Sequence, residues 1–206
     1  MAEEDSLQQF TFKPALLAGP RTVKLTDAGL ELWEKDEKVD EIAYSRITGL
    51  RHIENRVQRN RFFQFHVARG DDKPLYLTVN TTSFATPAND PDVQALYQMA
   101  EALTARLVDA GSVTDVEIGY GKLGRWAWFG LGAACIIFSI GIFVLALNTG
   151  VREEKLWGAA FPMGLLALIG AFVCAGSNPF APPVRLPLAA FSEYLSARLE
   201  LDSKED

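Results

Sequence analysis

Two uncharged stretches, Trp126 to Leu147 and Leu156 to Ala175, constrain this chain more than any other feature. The first, WAWFGLGAACIIFSIGIFVLAL, runs for 22 residues. At helical rise that is about 33 Å, enough to cross a hydrocarbon core of roughly 30 Å. Eleven of its side chains are Phe, Leu, Ile or Val, a content worth roughly −3 to −7 kcal/mol on an insertion scale. The second, LWGAAFPMGLLALIGAFVCA, has 20 residues with eight such side chains, and Gly158, Pro162, Gly164 and Gly170 weaken it. Buried helices of a soluble core usually carry some polar residues, so an unbroken pair predicts a transmembrane hairpin. Trp126, Trp128 and Trp157 sit at the segment ends, where an indole prefers the membrane–water interface.

The connection Asn148 to Lys155 is short, so the two helices are expected to be antiparallel neighbours. Each carries a run of small residues at helical spacing. These are Gly130, Ala134 and Gly141 in the first, and Ala160, Gly164, Ala167, Ala171 and Ala175 in the second. Small residues let backbones approach closely in lipid. The two runs are expected to face each other within the hairpin, with an interface to another subunit as the alternative. No ionisable residue lies inside either stretch, so no ion path or proton relay is signalled.

The net charge of −6 is unevenly spread: residues 1–118 hold all of it and residues 119–206 balance to zero. An acidic chain argues against nucleic acid as a partner. Both cysteines, Cys135 and Cys174, lie in the apolar stretches and behave most simply as small apolar residues. The start, MAEEDSLQQF, is acidic and polar and is no signal peptide. Lys122, Arg125 and Arg185 flank the spans, against Arg152 and Lys155 in the connection. The expected placement is therefore a multi-pass protein of a bacterial inner membrane, with both termini cytoplasmic.

Ahead of the hairpin, residues 1–8 read as disordered. Short strands follow at Gln9–Ala15, Arg21–Leu25, Leu30–Glu34, Lys38–Ala43, Ile47–Ile53, Arg61–Ala68 and Pro74–Asn80. Phe63, Phe65 and Val67 alternate with Gln64 and His66, and Leu75, Leu77 and Val79 alternate with Tyr76 and Thr78. Turn composition marks Thr26 to Gly29, Lys35 to Glu37 and Gly70 to Asp72. After a polar link, Thr81 to Asn89, a helix is signalled by Asp90 as N-cap, Pro91 at its first position and Gly111 as its stop. Val93, Leu96, Tyr97, Ala100, Leu103 and Leu107 form its apolar stripe. The expectation is a seven-stranded antiparallel barrel with one capping helix, followed by the transmembrane hairpin.

That order of elements resembles the pleckstrin-homology-like fold. VKLTDAGLEL (Val23 to Leu32) and IAYSRITGLR (Ile42 to Arg51) are similar to the strand–turn–strand and I-x-Y-S-x-I elements of bacterial pleckstrin-homology-like and GRAM-like domains. The resemblance covers residues 9–110. It implies a binding or scaffolding module without catalysis, and carries no ligand residues onto this chain. Residues 112–124 read as a link to the membrane. Ser177 to Pro187, with four prolines, reads as a stiff tether. A last helix from Pro187 to about Leu201 carries Leu188, Phe191, Tyr194, Leu195 and Leu199 on one face. It is expected to pack back on the soluble domain or lie along the bilayer, with a docking helix for a partner as the alternative.

No catalytic set, metal-ligand spacing or phosphate loop is present, so no catalytic, cofactor or metal residue is named. His52 and His66 lie on separate strands and are expected to be exposed. One local charge feature remains: Arg46, Arg51, Arg56, Arg59 and Arg61, with a single acid, Glu54, among them. At the rim of a barrel, each arginine near an anionic leaflet would contribute about 1 kcal/mol. The alternative is that they pair with acids or solubilise a loop. The chain thus reads as a membrane-anchored, non-enzymatic module binding a protein partner or a second copy. The other function it could have is to sense anionic phospholipid through the arginines.

Overall fold

The first strands are short because turn chemistry interrupts them every few residues. β1 (Gln8–Phe12), β2 (Arg21–Leu25), β3 (Gly29–Glu34) and β4 (Glu37–Ala43) form an antiparallel sheet in chain order. The β2–β3 turn is closed by Thr26, whose hydroxyl accepts from the Gly29 amide and donates to the Gly29 carbonyl, both at 3.1 Å. A Cβ at Gly29 would overlap the Ile42 carbonyl, so only glycine fits there. The β3–β4 turn places Lys35 (φ 49°) and Asp36 (φ 66°) in the left-handed region, the geometry a two-residue hairpin turn requires. The computed structural model describes residues 7–57, 60–70, 72–82, 89–149 and 153–204. The expected disorder at 1–8, the polar link, the connection Asn148 to Lys155 and Arg59 lie wholly or partly outside them, as do the side chains of Leu156 and Leu199.

A 3-10 turn, Tyr44–Arg46, leads into the second sheet. β5 (Gly49–Val57), β6 (Asn60–Arg69) and β7 (Asp72–Thr82) are antiparallel neighbours. β8 (Asp115–Ile118) joins parallel to β5, and β9 (Val184–Pro187) pairs antiparallel to β8, giving the order β7-β6-β5-β8-β9. The expected seven-stranded barrel is therefore corrected. The strands form two sheets, of four and five, and the sheets do not close on each other. The two additional strands come from stretches read as a link and a tether. Each is four residues long, too short for alternation to show, and its partner is distant in sequence.

Helix α1 (Pro91–Ala110) follows its capping signals. The Asp90 carboxylate accepts from the amides of Asp92 (2.9 Å) and Val93 (3.4 Å), and Gly111 closes the helix at φ 64°. Its stripe is buried against Phe63, Phe65, Val67, Leu75, Leu77 and Val79 in one apolar core. Helix α4 (Leu188–Lys204) completes that core with Leu188, Phe191 and Leu195. Arg198 pins it to β5 through Glu54 at 2.7 Å. The C-terminal helix thus belongs to the same compact unit as the N-terminal strands, Met1–Gly119 with Val184–Asp206.

The second unit, Tyr120–Pro183, is a helical hairpin of α2 (Lys122–Asn148) and α3 (Glu153–Gly176). Among the described residues only α2 is long and apolar enough to cross a membrane. Among the described residues the apolar run of α3 is the shorter Ala160–Gly176. The expected two-span hairpin is corrected to one candidate span, and the multi-pass inner-membrane placement that depended on two is not supported. The fold is β-rich and, among the described residues, carries one apolar helix of spanning length.

Candidate functional site

The outer face of the five-stranded sheet carries one transverse row of polar side chains. Register places Tyr76 on β7 opposite His66 on β6, His66 opposite Arg51 on β5, Arg51 beside Glu117 on β8, and Glu117 opposite Arg185 on β9. Every strand of the sheet contributes one residue. Alternation alone brings them to one face, because neighbours in register share a side of the pleat.

The row forms the wall of a cleft of about 490 Å³. Gly49, which has no side chain, and Ala68, with only a methyl group, flank the row and leave the hollow open. Arg51 donates to Glu117 through Nε at 3.2 Å and through Nη2, and Arg185 reaches the other Glu117 oxygen at 3.5 Å. One carboxylate thus serves two guanidinium groups, and with Asp115 in the same lining the cleft carries two cations and two carboxylates. His66 stacks edge-on against Tyr76 at 4.5 Å, with Nε2 3.3 Å from Gln64 Oε1. Burial, and then the Arg51 charge, push its pKa down to about 4, so the ring is neutral at pH 7. Two residues before Glu117 on β8, Asp115 accepts from the Thr114 hydroxyl at 3.3 Å. The Ser112 hydroxyl lines the same cleft, buried and without a hydrogen-bond partner among the described residues.

No family model, curated protein or solved structure matches this chain. The chemistry of the cleft therefore rests on its own residues. Two partly committed guanidiniums, a neutral imidazole and a half-exposed phenol can bind and orient an anionic or hydrogen-bonding group. Among the described residues no cluster of His, Cys, Asp and Glu could hold a metal ion.

The four described arginines of the patch, Arg46, Arg51, Arg56 and Arg61, do not form one cluster. Arg46 is exposed and pairs with Asp72 beside the β6–β7 turn. Arg51 lies in the cleft wall, and Arg56 is exposed at the end of β5. Arg61 pairs in register with Arg56, so the two share a side of the sheet, and the Arg61 side chain is buried there with Phe63 and Phe65. Arg51 stands on the opposite side, because the period of two sends odd and even positions of β5 to opposite faces, which a charge count does not register. His52, expected to be exposed, is buried. Its ring is caged edge-on by Tyr97 (5.7 Å), Phe191 (5.8 Å) and Tyr194 (6.1 Å). Burial pushes its pKa down to about 4, and its Nε2 has no hydrogen-bond partner among the described residues.

The small-residue run is not the hairpin seam. A Cβ at Gly130, Gly141 or Gly164 would meet nothing within 4 Å. Ala134, Ala171 and Ala175 are exposed, and Ala160 and Ala167 are partly covered. The seam is Gly132 against Gly170 instead. A Cβ on Gly132 would sit 2.7 Å from the Gly170 carbonyl oxygen, and one on Gly170 2.6 Å from that of Gly132. The Ser139 hydroxyl donates to the Met163 carbonyl, and Cys174 Sγ approaches the Phe129 carbonyl at 3.5 Å. At the hairpin's open end Arg125 holds the carbonyls of Asn178 (3.3 Å) and Ala181 (2.8 Å), beside a Trp126–Phe129–Phe180 cluster.

Proposed function

We propose that this chain is a membrane-associated, non-enzymatic binding module whose β-rich unit receives a protein partner at the polar cleft. The observation that carries the reading is the bare surface of α2. Its apolar stretch is only 11 % buried, with Leu131, Ile137, Phe138, Ile140, Val144 and Leu145 exposed. A contiguous apolar surface of this size is covered by lipid or by protein in a working molecule. Lipid is the cover its composition favours, since no charge interrupts it from Trp126 to Asn148.

The Tyr76–His66–Arg51–Glu117–Arg185 row supports a protein partner. A neutral histidine and two arginines sharing one glutamate recognise an acidic side chain or a chain terminus by fork geometry. The separation of Arg46 and Arg51 from the Arg56–Arg61 pair, with Arg61 buried, supports this over recognition of an anionic lipid surface.

The test uses full-length chain with a C-terminal tag. Membranes washed in alkaline carbonate are expected to retain it, and mild detergent is expected to release it with a stoichiometric protein partner. Arg51→Ala with Arg185→Ala weakens that complex about tenfold, the loss of about 1.4 kcal/mol. Recovery of the chain in the carbonate supernatant would remove the membrane part. A complex indifferent to both arginines would remove the cleft.

A further inference from the structure

The loop between β1 and β2 is built against the ordinary rules for turns. Its roots are fixed: the Lys13 amide donates to Asp92 on α1 at 3.0 Å, and the Asn80 amide on β7 donates to the Pro14 carbonyl at 3.0 Å. Ala18 then bonds back to the Ala15 carbonyl at 3.0 Å, so Leu16 and Leu17 occupy the two central positions of a β-turn. Those positions favour Pro, Gly, Asn, Asp or Ser. Here they present two leucines that are 86 % and 98 % exposed. Pro14 on one side and Gly19-Pro20 on the other stiffen the loop. Nothing in the fold uses these side chains.

We propose that the Leu16–Leu17 turn is a wedge that enters the surface of the bilayer holding α2. The occupant follows from area and from tethering. Two leucines offer at most a few hundred Å², against the roughly 800 Å² per partner that a stable protein interface buries. Binding at a bilayer surface scales with the apolar area buried, so two leucines suit a small addition to an anchor that α2 already provides rather than an interface of their own. This rests on the membrane reading of α2, which keeps lipid close to the unit that carries the turn. The neighbouring side chains are mixed. Lys13 and Lys35 are exposed, Arg21 pairs with Glu34 at 2.7 Å, and Asp36 and Glu37 lie beyond. The wedge is therefore driven by its leucines and not by anionic lipid.

Full-length chain with Cys135→Ala and Cys174→Ala provides the background for Leu17→Cys, labelled with an environment-sensitive fluorophore and reconstituted in phosphatidylcholine vesicles. A second labelled variant, Glu41→Cys on β4, is the control. Emission from position 17 is expected to rise several-fold over the control. Lipids bearing a quencher high on the acyl chain should reduce it at least twofold, and Leu16→Asp should reverse both effects. Position 17 remaining as open to aqueous iodide as position 41, in vesicles that resist carbonate, overturns the wedge and leaves the membrane reading of α2 intact. Emission that rises with protein density but ignores the lipid quencher points to a second copy and overturns it as well. Vesicles that lose the chain in carbonate overturn the membrane reading of α2 and the wedge together.

Discussion

Excising the hairpin should leave a folded protein. β8 and β9 are antiparallel neighbours, with Ile118 opposite Val184. Gly119, the next residue, has φ 90°, and its amide donates to the His52 carbonyl at 2.8 Å. A positive φ at the first central position is what a two-residue type II′ hairpin turn needs. Deleting residues 120–183 and joining Gly119 to Val184 through one added asparagine therefore converts a long excursion into a tight hairpin without changing register. Deleting Val184 to Asp206 instead removes Leu188, Phe191 and Leu195 from the core. At roughly 1.5–3 kcal/mol for each buried side chain, that loss is about 5–9 kcal/mol, against a total stability of about 5–15 kcal/mol. The excised chain should be soluble without detergent and melt cooperatively by circular dichroism. In that background Phe191→Ala should cost about 3–5 kcal/mol and lower Tm by on the order of 10–20 °C. The chain lacking 184–206 should show no cooperative melt. A Phe191→Ala variant melting within a degree or two of its parent would refute the role given to α4 in closing the core.

Acid should destabilise the β-rich unit through His52. Its folded pKa of about 4 lies below the unfolded value near 6.5, so the unfolded chain binds more protons in between. Stability is then full above pH 6.5 and falls by up to about 3 kcal/mol as the pH drops to 4. His66 adds a smaller loss in the same window, and His52→Leu should flatten the curve measured by urea titration at pH 7 and pH 5. Asp90→Ala removes the α1 cap and should cost about 1 kcal/mol in the same titration. In the hairpin, Gly132→Leu should splay α2 from α3 while Gly130→Leu leaves them packed, because only the former meets backbone across the seam. Disulfide trapping between cysteines placed at Ala133 and Val173 would report the difference, and equal trapping would reject the seam.

What could be read in the sequence was what local rules encode. The first seven strands, Asp90 and Gly111 as caps, and the stripe from Val93 to Leu107 all follow from alternation, turn residues and helical spacing within a few positions. Pairing over distance was out of reach. Nothing in Asp115 to Ile118 announces a parallel partner in β5, and Val184 to Pro187 reads as a proline tether until it meets β8. The cleft row was half visible, since His66 and Tyr76 alternate away from the core. Arg51, Glu117 and Arg185 become neighbours only through register. Small residues surround both apolar helices, so spacing alone could not choose Gly132 and Gly170 over Gly130 and Gly164.

The β8–β9 pairing also sets an order of events during synthesis. The strands from β1 to β8 leave the ribosome with their core still open, because Leu188, Phe191 and Leu195 have yet to be made. Between Gly119 and Leu195 lie the whole hairpin and the last strand, a delay of about 4–15 s at roughly 5–20 residues per second. The apolar helices therefore emerge while their carrier is unfinished. The last strand and helix then act as a latch, closing the β-rich unit only after the hairpin has been made.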